Sequence, residues 1–101
     1  MRYQYETAGL VFEDLRIDTS LDGQARITAA ALSAVLDTGY VCTWKTLDGM
    51  VEMRAEQLIR LAAAVRAYVQ ACFDRERDLL AAVEDGSFSA EQLHQGWPDR
   101  G

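Results

Sequence analysis

The stretch that decides the fold runs from Arg54 to Glu84 and reads RAEQLIRLAAAVRAYVQACFDRERDLLAAVE. It contains neither glycine nor proline, and its apolar residues recur at alternating spacings of four and three. That spacing predicts one long amphipathic helix over about 54–84 with a heptad seam along one side. The seam consists of Leu58, Ala62, Val65, Val69, Cys72, Glu76, Leu79 and Val83.

The predicted helix is long for the size of the protein. It would span roughly 45 Å, whereas a compact domain of about 100 residues has a radius of gyration of only about 13 Å. We therefore expect its second half to extend beyond its own domain and to need cover. The cover is the chain's own C-terminal segment, a second copy or another protein. Glu76, the one polar residue of the seam, either reaches water or faces a partner and sets the register.

The residues before the long helix predict strands and a shorter helix. Residues 3–7 and 10–17 have the pattern of two short strands. The run from Ala25 to Leu36 predicts a helix that begins near Thr19 as its capping residue. Residues 40–53 predict a β-hairpin that turns at Leu47-Asp48-Gly49, with Trp44 packed on a helix as an anchor of the core.

These elements together predict an α+β fold. Residues 1–86 are expected to form a single α+β domain, in which small N-terminal strands and the β-hairpin pack on a short helix and the long C-terminal helix. Residues 87–101 are expected to form a short helix, capped by Ser89 and Gln92, and a Gly-Trp-Pro tail. Trp97 in that tail either docks on a partner or folds back on its own chain, because an exposed tryptophan lowers solubility.

Composition narrows the classes of function. The chain has 101 residues, 16 acidic and 10 basic, and a net charge of −6. So acidic a chain is poorly suited to bind a nucleic acid backbone, and no apolar run reaches the roughly 20 residues that a membrane span needs. Cys42 and Cys72 are too few for a disulfide framework or a zinc site, and we interpret both as small buried side chains.

No group of residues has the pattern of a catalytic, cofactor or metal site. Asp74 and Asp78 share a helix face, but we interpret them as solvated helix surface, because hard cations prefer loops of oxygen ligands. His94 with Asp99 lacks a nucleophile and an oxyanion hole. We therefore expect no enzymatic activity, no cofactor and no metal ion.

Five stretches carry a resemblance to a known family. They are Ile17-Asp18-Thr19; Gln24 to Thr28; Trp44-Lys45-Thr46 with Asp48-Gly49; Val69 to Phe73, followed by Arg75-Glu76 and Leu79-Leu80; and the closing Gly96-Trp97-Pro98. In order and spacing the chain resembles a domain-of-unknown-function family of tail proteins of tailed bacteriophages and prophages, associated with tail fibres and tail-fibre assembly. Arg54 departs from the family, which tends to have Ser or Thr at that position.

The resemblance implies a non-enzymatic phage tail component or a tail-fibre assembly factor (a chaperone) that acts by protein–protein binding. Its partner would be a tail-fibre or baseplate protein, met in the host cytoplasm during assembly or kept in the virion tail. The seam also allows a homo-oligomer. From the helix pattern, the predicted partner-binding residues are Leu58, Val65, Val69, Phe73, Glu76, Leu79, Val83 and Trp97. The alternative is a small phage-encoded regulator that binds and inhibits a host or defence protein.

Overall fold

The computed structural model describes residues 1–101 and shows an α+β fold, as predicted. Its strands form two separate antiparallel pairs, β1 with β2 and β3 with β4. In chain order the elements are α1 (Arg2–Glu6), β1 (Leu10–Phe12), β2 (Leu15–Ile17), α2 (Leu21–Leu36), β3 (Val41–Thr46), β4 (Gly49–Arg54), α3 (Ala55–Asp85) and a short 3₁₀ helix (Ala90–His94), which we call the tail helix.

The long helix α3 is confirmed within one residue at each end. It begins without a Ser or Thr cap, and the side chain of Gln57 accepts a hydrogen bond of 3.1 Å from the backbone N–H of Arg54. It ends at Gly86, whose φ of +80° is a left-handed conformation that favours glycine. The molecule measures 53 × 26 × 19 Å and has a radius of gyration of 15.9 Å. The helix therefore makes the protein elongated.

The hydrophobic core lies between α2, α3 and the two hairpins. Its largest fully buried apolar side chains are Ile17, Ile27, Met53, Leu58 and Leu61. The hairpin β3–β4 is confirmed, with Thr46 paired to Gly49 across the turn. Trp44 packs against the core from this hairpin but is only partly buried, so it is less central than we expected.

The buried side of α3 is rotated relative to the predicted seam. Leu58, Val65, Cys72 and Leu79 are buried, as the heptad spacing predicts. Between them, however, the helix buries Leu61 and Tyr68, while Ala62 and Val69 are only partly buried. The physical reason is size, because a buried Leu or Tyr removes more apolar surface from water than Ala or Val.

The predicted strand over residues 3–7 is wrong, since these residues belong to the helix α1 and the turn after it. Arg2 and Glu6 form an ion pair four residues apart, and Arg2 also donates to Glu76 of α3 over 3.0 Å. The hydroxyl of Tyr68 in α3 donates to the backbone carbonyl of Tyr5. A strand here would have no partner, whereas a helical turn places these groups against α3.

The predicted strand over residues 10–17 is a hairpin rather than one strand. Leu10 pairs with Ile17, and Phe12 pairs with Leu15. Glu13 and Asp14 form the two-residue turn, with φ values of 49° and 65°. Two consecutive left-handed residues are typical of the turn that joins twisted antiparallel strands, and Asp tolerates this conformation.

The start of α2 differs from its prediction. Ser20 rather than Thr19 caps the helix and accepts from the backbone N–H of Gly23 over 3.1 Å. Thr19 is instead fully buried, where its hydroxyl donates to the carbonyl of Glu6 and accepts from the N–H of Gly9. A side chain at Gly23 would bring its Cβ within 2.3 Å of the carbonyl oxygen of Asp18. Glycine is thus required there by a close backbone approach.

Residues 87–101 fold back along the second half of α3. The indole ring of Trp97 stacks on the ring of Tyr5 at 4.3 Å, and its Nε1 donates to the carbonyl of Leu93 over 2.7 Å. Arg75 of α3 donates to the carbonyls of Gln92 and Gln95. The chain's own C-terminal segment and α1 therefore cover part of this half of α3, whereas Leu80 and Val83 stay exposed.

No helix of the protein is both long enough and apolar enough to span a bilayer.

Candidate protein-binding site

A groove with a mostly apolar lining lies between α2 and α3, which run antiparallel. The antiparallel direction is seen at Glu6, which links the start of α2 to the second half of α3. Its carboxylate accepts from Gln24 of α2 and from Arg2, and Arg2 in turn binds Glu76 of α3. The groove has a volume of about 490 Å³ and a mostly apolar lining. We define the α2–α3 groove by the residues that shape its walls, namely Leu32, Val35, Ile59, Arg66, Val69 and Phe73.

The apolar walls of the α2–α3 groove are open to solvent. Leu32 and Val35 on α2 are 61% and 63% exposed, and Ile59 and Phe73 on α3 are 40% and 42% exposed. Leu36, which follows on the same side of α2, is 78% exposed. These side chains adjoin one another, and a contiguous exposed apolar surface in a small protein is typical of a binding site.

Helix α2 presents this surface because both of its faces are apolar. Its inner face buries Ile27, Ala30 and Ala34 against α3 and the hairpins. The sequence from Ile27 to Leu36 contains no charged residue, and its only polar side chains are the small hydroxyl groups of Thr28 and Ser33. A helix that is apolar all round is normally covered on all sides.

Arg66 is the only charged residue of the groove lining. Its side chain is exposed and donates to no oxygen of its own chain. It differs in this from most of the other arginines, which are held by a carboxylate or a backbone carbonyl. Those arginines are Arg2, Arg16, Arg54, Arg60, Arg75, Arg77 and Arg100.

The eight predicted partner-binding residues are not all on one surface. Val65, Val69 and Phe73 line the α2–α3 groove. Leu58, Val65 and Leu79 are buried in the protein itself, with at most 8% of each exposed.

The remaining three predicted residues lie outside the α2–α3 groove. Val83 is exposed near the end of α3. Glu76 accepts from Arg2, and its side chain is 40% exposed, so it belongs to an ion pair within the chain. Trp97 stacks on Tyr5, as described above.

The predicted set does not include Leu32, Val35, Ile59 and Arg66, which line the α2–α3 groove. The signal that could have found the first two is the lack of charge from Ile27 to Leu36, because an ordinary surface helix carries charged residues on its outer face. Ile59 and Arg66 carry no comparable signal. They are neighbours of the groove only because α2 packs beside α3.

The groups with shifted pKa values lie away from the α2–α3 groove. Burial raises the pKa of Tyr68 to about 12, and burial also raises the pKa of the Cys72 thiol. The hydrogen bonds from Arg16 hold the pKa of Asp48 below its usual range and join the two hairpins. Each shift follows from packing within the fold. No three His, Cys, Asp or Glu side chains are grouped so that they could hold a metal ion.

Fold and surface thus define a small α+β domain with an uncovered apolar groove between two antiparallel helices. The model of a protein family described as a domain of unknown function, DUF4376, matches residues 1–94 of the chain. The protein therefore belongs to the DUF4376 family. No curated protein and no solved structure matches the chain.

Proposed function

We propose that the protein is a non-enzymatic phage tail component or tail-fibre assembly factor that binds another protein through the α2–α3 groove. The observation that carries the proposal is the solvent-exposed apolar face of α2, where Leu32 and Val35 are more than half exposed. The phage-tail setting of the proposal is supported by the resemblance of the sequence to phage tail proteins.

The groove suits a partner that brings its own apolar side chains. Grooves between helices bind amphipathic helices by burying residues spaced three or four apart. Complete burial of a Leu or Val side chain contributes roughly 1.5–3 kcal/mol. Since about three fifths of Leu32 and Val35 is still exposed, we expect each to contribute about 1–1.5 kcal/mol to binding.

A tail-fibre assembly factor and a permanent tail component differ in what happens after binding. An assembly factor releases the fibre subunit, whereas a tail component stays in the particle. Either protein needs an apolar surface that is stable alone and covered in the complex. The proposed partner in both cases is a tail-fibre or baseplate protein.

The test is co-expression of the chain with the product of the neighbouring tail-fibre gene, followed by light scattering on the purified material. We expect the wild-type chain to form a complex of defined mass. The double variant Leu32→Ser/Val35→Ser should fold normally and weaken that complex by roughly 30- to 100-fold, the equivalent of about 2–3 kcal/mol.

The matched control is Leu80→Ser, because Leu80 is 62% exposed on α3 but lies outside the α2–α3 groove. It should leave the complex unchanged. If the wild-type chain forms no complex with the fibre product, the proposed function is wrong. If Leu80→Ser is as damaging as the double variant, the groove is not the binding surface.

A further inference from the structure

We infer that the occupant of the α2–α3 groove is an acidic amphipathic helix of another protein, with a carboxylate placed against Arg66. The inference rests on the proposed function and names the chemistry of its partner. Three observations carry it: the spacing of the groove residues on α3, the unpaired charge of Arg66 and the lack of acidic residues on the outer face of α2.

The α3 wall of the groove has a regular pattern. Ile59, Arg66 and Phe73 are seven residues apart, so they lie on one face at intervals of two helical turns. At about 1.5 Å per residue, this row is roughly 21 Å long. A partner helix of about four turns, or roughly 14 residues, would cover it from end to end.

The charge at the centre of this row restricts what can cover it. Arg66 lies midway between two apolar residues and has no acidic neighbour bound to it, although the chain as a whole has a net charge of −6. Covering an unpaired guanidinium with apolar groups removes its hydration and is costly. A carboxylate in the occupant offsets that cost, because Arg and carboxylate form strong, often bidentate hydrogen bonds.

A second copy of the chain fits the groove less well. Homodimers usually form around a two-fold axis, which brings the same residues together at the centre of the contact. A two-fold contact centred on this row would set one Arg66 against the other. The outer face of α2 could not relieve the repulsion, since α2 carries no acidic residue between Asp22 and its C-terminal neighbour Asp37.

The test uses two synthetic helical peptides of 16 residues with blocked ends. Both carry Leu at spacings of three and four along one face, and they differ only in the residues flanking that face, which are Glu in one and Lys in the other. Binding to the full chain is measured by fluorescence anisotropy at low and moderate salt. We expect the Glu peptide to bind at least tenfold more tightly, with a preference that falls as salt rises.

Substitution of the arginine provides the sharper result. Arg66→Glu should reverse the preference, so that the Lys peptide binds more tightly than the Glu peptide. The matched control is Arg26→Glu, because Arg26 is also exposed and also bound to no oxygen of its own chain, but lies outside the groove lining. This control should keep the preference of the wild-type chain.

Three results would overturn the inference. Equal affinity for both peptides would show that the groove binds apolar helices without preference for acidic residues. A second result is that neither peptide binds, although the wild-type chain forms the complex with the fibre product and Leu32→Ser/Val35→Ser loses it. That result would refute the acidic helix and leave the proposed function intact. A wild-type dimer in light scattering that Leu32→Ser dissociates would assign the groove to a second copy. If the Glu peptide binds as expected but the wild-type chain forms no complex with the fibre product, only the proposed function is refuted.

Discussion

The contact between Trp97 and Tyr5 makes a quantitative prediction about the C-terminal segment. Trp97→Ala removes the ring stacking at 4.3 Å and the hydrogen bond from Nε1 to the carbonyl of Leu93. An aromatic pair contributes about 0.5–1.5 kcal/mol beyond the area it buries, and a hydrogen bond contributes a similar amount. With the lost apolar contact of a partly buried ring, we expect the free energy of unfolding to fall by about 2–3 kcal/mol.

The measurement is urea unfolding followed by circular dichroism of the helices. The free energy of unfolding of a small domain falls by about 1–3 kcal/mol per molar urea, so the urea concentration at the unfolding midpoint should fall by roughly 1–2 M. Trp97→Phe keeps a ring to stack on Tyr5 but has no N–H to donate, so we expect it to cost only about 1 kcal/mol. Limited proteolysis should also cut residues 87–101 faster in Trp97→Ala.

A double-mutant cycle isolates the stacking itself. Tyr5→Ala, Trp97→Ala and the double variant should give a coupling energy of about 1 kcal/mol. The backbone carbonyl of Tyr5 that accepts from Tyr68 is kept in all three variants. A loss below about 0.5 kcal/mol in Trp97→Ala, or a coupling energy near zero, would refute the view that this contact holds the segment against α3.

Three further changes test the fold. Gly23→Ala should destabilise the protein by about 1–3 kcal/mol in urea unfolding, although alanine usually favours a helix, because the new Cβ meets the Asp18 carbonyl; a more stable variant would contradict this close approach. Leu61→Ala should cost about 2–5 kcal/mol, whereas Leu80→Ala should stay within about 0.5 kcal/mol; similar thermal midpoints for the two would refute the rotated seam. Burial raises the pKa of Tyr68 to about 12, so above about pH 10 the unfolded state loses its proton first. The ionisation of Tyr68 should therefore leave the free energy of unfolding unchanged below that pH and lower it by about 2 kcal/mol as the pH rises to 12. Tyr68→Phe should remove this part of the loss. The same pH profile in Tyr68→Phe as in the wild-type chain would refute the assignment.

The predictions that succeeded depend on local pattern. A stretch without glycine or proline and with a regular three–four spacing favours a helix through interactions between near neighbours, and α3 is that helix. Asp48-Gly49 between runs of strand-forming residues similarly predicts β3 and β4. The hydrogen bond from the backbone N–H of Ser89 to the side chain of Gln92 also forms, since it needs only residues three apart.

The predictions that failed depend on contacts between distant residues. Residues 3–7 alternate like a strand, but the bonds from Arg2 to Glu76 and from Tyr68 to Tyr5 select a helical turn. The partner-binding role predicted for the seam stays a prediction, although the structure buries three of its residues, Leu58, Val65 and Leu79, in the protein itself. Periodicity shows that α3 has an apolar side, yet it does not show that this protein's own α1, α2 and C-terminal segment cover most of that side.

The sequence by itself determined the α+β class, the length of α3, the position of the β3–β4 hairpin and the charge that disfavours nucleic acid. Only the tertiary structure decided which face of α2 enters the core, where Trp97 packs, and that Leu32, Val35, Arg66 and Phe73 share one open groove. The physical reason is that backbone conformation follows from neighbours within a few residues. Exposure depends on which other elements of the chain arrive to cover a side chain.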